Sequence, residues 1–176
     1  MKSPELVESL SVHQITVLLA DDHATFRKSL KLLIESDDDI DVVGEAKNGL
    51  EAVRLTQSLH PEVIVLDIAM PLLNGLQATA QIMANFPATR VLILSARADP
   101  EYIKQAVILG ASGYLIKQSS THVLAHAVRE VFKGNSFFCA PIGKPLRNEC
   151  RKSFGKGVLV KKRAARLLMP DVSINN

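Results

Sequence analysis

Five times along this chain a short apolar run gives way to a segment with helical spacing. That alternation constrains the fold more than any other feature. The runs are Ile15–Ala20 (ITVLLA), Ile40–Ala46, Val63–Asp67 (VIVLD), Arg90–Ser95 (RVLILS) and Gly113–Lys117 (GYLIK). They are short and mostly apolar, as strands buried on both faces are. In the first intervening segment Phe26, Leu30, Leu33 and Ile34 fall at i, i+4, i+7 and i+8, one face of a helix beginning near Ala24. The acidic run Asp37–Asp39 that follows reads as a solvated turn. Asn48 and Glu51 are spaced like a capping box for the second helix, which stops near Ser58, ahead of His60-Pro61. Asn74 caps a third, which dies at Phe86-Pro87. Asp99-Pro100 opens a fourth, with Gly110 as its C′ residue. Val123, Leu124, Ala127, Val128 and Val131 draw the apolar face of a last helix, ended by Gly134.

The alternation predicts an α/β fold with a parallel sheet covered by helices on both faces. Right-handed crossovers bring the carboxyl ends of all strands to one edge, where ligands of such folds bind. The residues due at that edge are Asp21 and Asp22 after the first strand, Asp67 ending the third, Ser95 ending the fourth and Lys117 after the fifth. Three clustered carboxylates repel one another unless a cation joins them. Oxygen-only ligands with no cysteine or histidine favour a hard ion such as Mg²⁺. One carboxylate can then act as nucleophile toward a phosphoryl group, with the hydroxyl, the ammonium and the metal neutralising its oxygens. Singly these residues say little, since an acidic pair after a strand is most often a cap or a turn. Jointly, in this order on a β/α alternation, they define a phosphoryl-transfer edge. Gly110-Ala-Ser-Gly113 lacks the spacing of a nucleotide cradle.

LLADDH (18–23), VIVLDIAMPLLNGL (63–76), VLILSA (91–96) and GASGYLIK (110–117) resemble the receiver domains of bacterial two-component response regulators. The Asp-Asp-His triplet and GASGYLIK look most like the NarL/FixJ-type subfamily. The resemblance covers residues 14–134, preceded by an extension, 1–13, and followed by a basic linker and tail, 135–176. It implies a flavodoxin-like five-stranded sheet of order 2-1-3-4-5. It implies Asp67 as phosphoacceptor from a sensor histidine kinase. Asp21, Asp22, Asp67 and the backbone carbonyl of Ala69 would be the Mg²⁺ site. Ser95 and Lys117 would neutralise the phosphoryl group, and Ser95 with Tyr114 would form the switch. The 96–130 face would carry homodimer or effector contacts, with transcription as the usual output and no turnover chemistry beyond self-catalysed phosphotransfer and dephosphorylation. Three departures from the commoner pattern are the small apolar Ala69 two residues after Asp67, Ser rather than Thr at position 95, and Gln118 after Lys117.

Other features are read more blandly. His23 belongs to the first helical turn. His122 and His126, at i, i+4, form a solvent-facing pair without the further ligands of a zinc site. Cys139 and Cys150 make no disulfide framework, no apolar run approaches the ~18 residues of a membrane span, and MKSPELVESLSVHQ is no signal peptide, so a reducing cytoplasm is expected. Charge divides the chain: residues 139–176 carry nine Lys/Arg against two acids, net +7, whereas 1–138 sum to −4. The 42 residues after Gly134 are too few for a DNA-binding domain of four helices, which needs about 60. Contact with DNA is therefore expected only through a further domain or weakly through the basic tail. The alternatives are a stand-alone receiver acting by protein contact, and a Mg²⁺-dependent phosphohydrolase with an Asp nucleophile. The latter usually has a second Asp two residues on, where this chain has Ala69.

Overall fold

In the computed structural model, which describes residues 13–120 and 123–139, the apolar runs lie side by side in one sheet. The strands are β1 (Ile15–Ala20), β2 (Ile40–Ala46), β3 (Val63–Asp67), β4 (Arg90–Ser95), β5 (Gly113–Ile116) and β6 (Phe137–Cys139). They are ordered β2-β1-β3-β4-β5-β6, and every pairing is parallel. The first five have the expected flavodoxin-like order. The sixth is an addition: residues 137–139 pair with Gly113–Leu115 at the edge. Three residues are too short a run for periodicity to announce a strand.

The connecting helices are α1 (Ala24–Ile34), α2 (Gly49–Leu59), α3 (Gly75–Asn85), α4 (Pro100–Leu109), the single turn α5 (Lys117–Ser120) and α6 (Leu124–Phe132). Side chains alternate across the strands, so the sheet feeds two cores. Leu18, Ile64, Leu66, Ile93 and Tyr114 pack with residues of α2, α3 and α4. Val17, Leu19, Val65, Leu94 and Leu115 pack on the other face with α1 and α6. Most of these side chains are fully buried, and each Val, Leu or Ile so buried contributes about 1.5–3 kcal/mol.

The helix ends follow the cap residues, with instructive exceptions. Asp99 accepts the Glu101 amide at 2.9 Å with Pro100 in the first turn, and Gly110 closes α4 with φ +96°. Asn74 forms a full capping box with Gln77. At α2 the box is displaced: Asn48 accepts the Glu51 amide at 2.8 Å, but Glu51 reaches past the cap to the Lys47 amide at 2.9 Å. β5 stops at Ile116, and Lys117 opens α5. The Asp37–Asp39 run is more than a solvated turn. Arg129 of α6 donates to Asp39 at 2.6 and 2.7 Å and to Asp37 at 2.8 Å, which holds the Asp39 carboxyl below its ordinary range. His23 is not in the first helical turn. It is the extended N-cap of α1, and its side chain makes no capping bond.

Topology locates the crevice. From β1 the chain goes to β2 on one side, then crosses to β3 on the other side of β1. The loops leaving β1 and β3 therefore diverge, and a gap opens between them at the carboxyl edge. The α3 start is drawn tightly against that edge: the Gly75 amide donates to the Ile68 carbonyl at 2.9 Å. A Cβ on Gly75 would lie 2.1 Å from the Asp67 carbonyl oxygen. Backbone cannot yield as a flexible side-chain tip can. Gly75→Ala is therefore expected to destabilise the protein by about 1–3 kcal/mol, read as a lowered urea midpoint. An unchanged midpoint would show that the loop has slack.

Candidate functional site

Ala20 and Leu66 are register partners on β1 and β3, so the residues after them, Asp21 and Asp67, emerge side by side. Both are almost wholly buried. Lys117, at the start of α5, reaches between them, with Nζ 2.6 Å from Asp21 Oδ2 and 2.9 Å from Asp67 Oδ2. Its ammonium stands over the ring of Phe26 of α1, 4.9 Å from the centroid. Arg27 locks the same loop by donating to the Asp21 carbonyl at 2.6 Å and to Glu45 at 3.0 Å.

Asp22 lies at the rim, and His23 Nδ1 stands 2.7 Å from its Oδ1. Ligand atoms of Asp21, Asp22, His23 and Asp67 all lie within 4.8 Å of one another. Of the expected site residues, the structure brings Asp21, Asp22, Asp67 and Lys117 into this one cluster. Ser95 is buried at the end of the next strand. There its Oγ accepts the Arg97 amide at 3.2 Å. The Tyr114 ring is turned wholly into the core, and its hydroxyl donates to the Arg97 carbonyl at 2.8 Å. Ala69 is exposed in the loop after β3.

Electrostatics mark Asp67 as the unusual group. Burial pushes its carboxyl above the ordinary 3.8; Lys117 and the Ala69 amide oppose this, and the charge of Asp21 reinforces it. Burial alone would lower the Lys117 ammonium, but its contacts with Asp21 and Asp67 outweigh burial and raise it. Burial also pushes the Tyr114 phenol up, against the opposing effect of Ser95. Although Lys117 is at ion-pairing distance, no donor is aligned for a hydrogen bond with Asp21 Oδ2 or Asp67 Oδ2. One off-line ammonium cannot balance three carboxylates. Two buried, incompletely satisfied oxygens beside a third carboxylate fit a hard dication.

Three contributors escaped the sequence reading. His23, Phe26 and Arg27 all surround the β1–α1 loop. Adjacency to Asp21-Asp22 was a signal for His23, but nothing local pairs Phe26 or Arg27 with residues so distant in the chain. The His122/His126 pair lies partly outside the described residues, since His122 does, as do Cys150 and the basic tail from residue 140. An open groove of about 760 Å³ adjoins the cluster, lined by His23, Phe26, Ser29, Ala96, Lys117 and Gln118 among others.

A buried carboxylate paired with a strand-end lysine at a parallel-sheet switch point defines a class. The chain belongs to the response regulator receiver domain family, whose model matches residues 17–129. It is 32% identical to the transcriptional regulatory protein DegU of Brevibacillus brevis, over 82% of this chain and 61% of that protein. To the transcriptional regulatory protein YdfI of Bacillus subtilis it is 39% identical, over 74% and 61%. Among solved structures, the signal receiver domain named for NarL of Mycobacterium tuberculosis superposes with a TM-score of 0.68 at 34% identity, covering 70% of this chain and 99% of that one. The chain thus spans about three fifths of the length of these curated relatives. Among the described residues no helix is long and apolar enough to cross a membrane.

The Asp67 shift has a signed consequence. A carboxyl raised in the fold favours folding where it is protonated, so its effect on stability worsens as pH rises from 3.8 through the folded value. Lys117 keeps Asp21 as partner when Asp67 is neutralised. Asp67→Asn is therefore expected to have a higher urea midpoint than the wild type at neutral pH, with the gap closing below pH 3.8. A variant less stable at neutral pH would contradict this reading.

Proposed function

We propose that this chain is a phosphorylation-controlled switch of a two-component relay, with Asp67 as the phosphoacceptor. The carrying observation is the buried Asp67 carboxylate, paired with Lys117 and crowded by Asp21 at the strand edge. A Asp67 carboxylate oxygen attacks the phosphorus of a phosphohistidine on a sensor kinase. The P–O bond to Asp67 forms, the P–N bond breaks, and the leaving imidazole takes up a proton. Asp21, Asp22, Asp67 and the Ala69 carbonyl would hold Mg²⁺, which when bound neutralises charge on the phosphoryl oxygens. Lys117 supplies a second positive charge.

Phosphorylation adds about −1.5 to −2 charges and three acceptors. Ser95 is then drawn from its Arg97 partner toward the new oxygens. Because the Arg97 backbone is held by both Ser95 Oγ and the Tyr114 hydroxyl, that exchange loosens the contact between the β4 end and the β5 core. It biases the 96–130 face, where Tyr102 and Ile108 of α4 are exposed, for homodimer or effector contacts. Control of transcription, through DNA contact by a further domain or weakly by the basic tail, is the output that the relatives' names favour. A cytoplasmic site of action accords with a kinase partner of this kind. Turnover as a phosphohydrolase is disfavoured, because position 69 offers no acid.

Incubation with acetyl phosphate and Mg²⁺ should add one phosphoryl group by intact-mass measurement. The product should be labile to hydroxylamine, and the addition should vanish in Asp67→Asn. Full labelling of that variant, or a hydroxylamine-stable product, would refute the assignment. Mg²⁺ at a hundred times its dissociation constant should stabilise the fold by about 2.7 kcal/mol, less so in Asp22→Asn.

A further inference from the structure

We propose that the groove beside the phosphoacceptor is an acyl-chain subsite, so that small acyl phosphates with an apolar tail donate to Asp67 in preference to acetyl phosphate. This rests on the reading of Asp67 as phosphoacceptor. It gives that residue a class of donor besides a protein phosphohistidine.

The groove opens directly from the acidic edge. Two of the residues lining it, His23 and Lys117, also touch the cluster. His23 Nδ1 stands 2.7 Å from Asp22 Oδ1, and Lys117 Nζ stands 2.9 Å from Asp67 Oδ2. From there the groove runs between the first turns of α1, the loop after β4 and the start of α5, past Ala24, Phe26, Ala96 and Gln118. Its volume, about 760 Å³, lies within the ~300–1,000 Å³ of small-molecule sites. Most of its surface is apolar, and among the described residues that line it Lys117 is the one permanent charge. Phe26, with its ring centroid 4.9 Å from that ammonium, is the largest apolar side chain of the lining. The groove is therefore charged at its inner end and apolar beyond. The ligand that matches has an anionic head and an apolar tail, which is the polarity of an acyl phosphate.

The geometry of transfer points the same way. In-line displacement puts the leaving group on the side of phosphorus away from the attacking oxygen. Asp67 is buried at the end of β3, so that side faces outward, where the groove begins. An Asp67 carboxylate oxygen forms the new P–O bond. The P–O bond to the acyl group breaks, and its electron pair leaves with the acid as a carboxylate. No proton moves, because the carboxylate is the stable form at neutral pH.

The test uses the full chain with Mg²⁺ and the series acetyl, butanoyl and hexanoyl phosphate, whose leaving groups are of similar basicity. KM for phosphorylation of Asp67, followed by intact mass, should fall about two- to fourfold per added methylene, fourfold being the limit for complete burial. Phe26→Ala should reduce the advantage of hexanoyl over acetyl phosphate at least about fivefold, and Phe26→Leu should keep most of it. Phe26 also touches Lys117, so both variants can slow transfer from every donor; the ratio of two donors cancels that effect. Hexylphosphonate, which cannot transfer its phosphorus, should compete with acetyl phosphate more strongly than ethylphosphonate. Equal competition by the two, or a hexanoyl advantage unchanged in Phe26→Ala, would overturn the subsite. A flat series in which acetyl phosphate still labels Asp67 would also overturn it, leave the phosphoacceptor standing and assign the groove to a protein donor. Absence of label on Asp67 from every donor would overturn both.

Discussion

The Lys117 ammonium set between the Asp21 and Asp67 carboxylates is the contact around which the carboxyl edge of the sheet is arranged. Two buried carboxylates a few ångströms apart are untenable without positive charge, since each raises the cost of ionising the other. Lys117 supplies part of that charge. Reaching both acids requires β5 to end where α5 begins, and Phe26 of α1 lies beneath the ammonium. Arg27 secures the loop that carries Asp21, and Gly75 lets α3 approach the end of β3. Within the cluster of Asp21, Asp22 and Asp67 negative charge still exceeds the one ammonium set among them.

A second layer connects this edge to the molecular surface. Ser95 sits at the end of β4 with its Oγ accepting the Arg97 amide, while Tyr114 of β5 donates to the Arg97 carbonyl in the loop before α4. Ser95, at the acidic edge, and the core ring of β5 therefore meet at one residue of the loop leading to α4.

Much of this architecture was legible before any coordinates. The strands show as apolar runs because burial on both faces demands it, and Asp99-Pro100, Asn74 and Gly110 mark helix ends through backbone chemistry confined to a single turn. The elements that escaped reading depend on distant partners. The edge strand at Phe137–Cys139 exists because β5 offers it an unpaired side. Asp37–Asp39 is clamped only because α6 carries Arg129 across to it. The residues flanking it in sequence suggest a helical turn for His23. Its ring is positioned instead by carboxylates that converge in space.

The sequence by itself determined the β/α alternation, the parallel sheet and the set of residues delivered to its carboxyl edge. Each of these is written in local periodicity, turn chemistry and order along the chain. Tertiary structure decided which of those residues touch. Strand order sets Asp21 beside Asp67, the turn into α5 aims Lys117 between them, and burial raises the Asp67 carboxyl above its ordinary value. Distance and desolvation are properties of the packed molecule, and no local pattern encodes them.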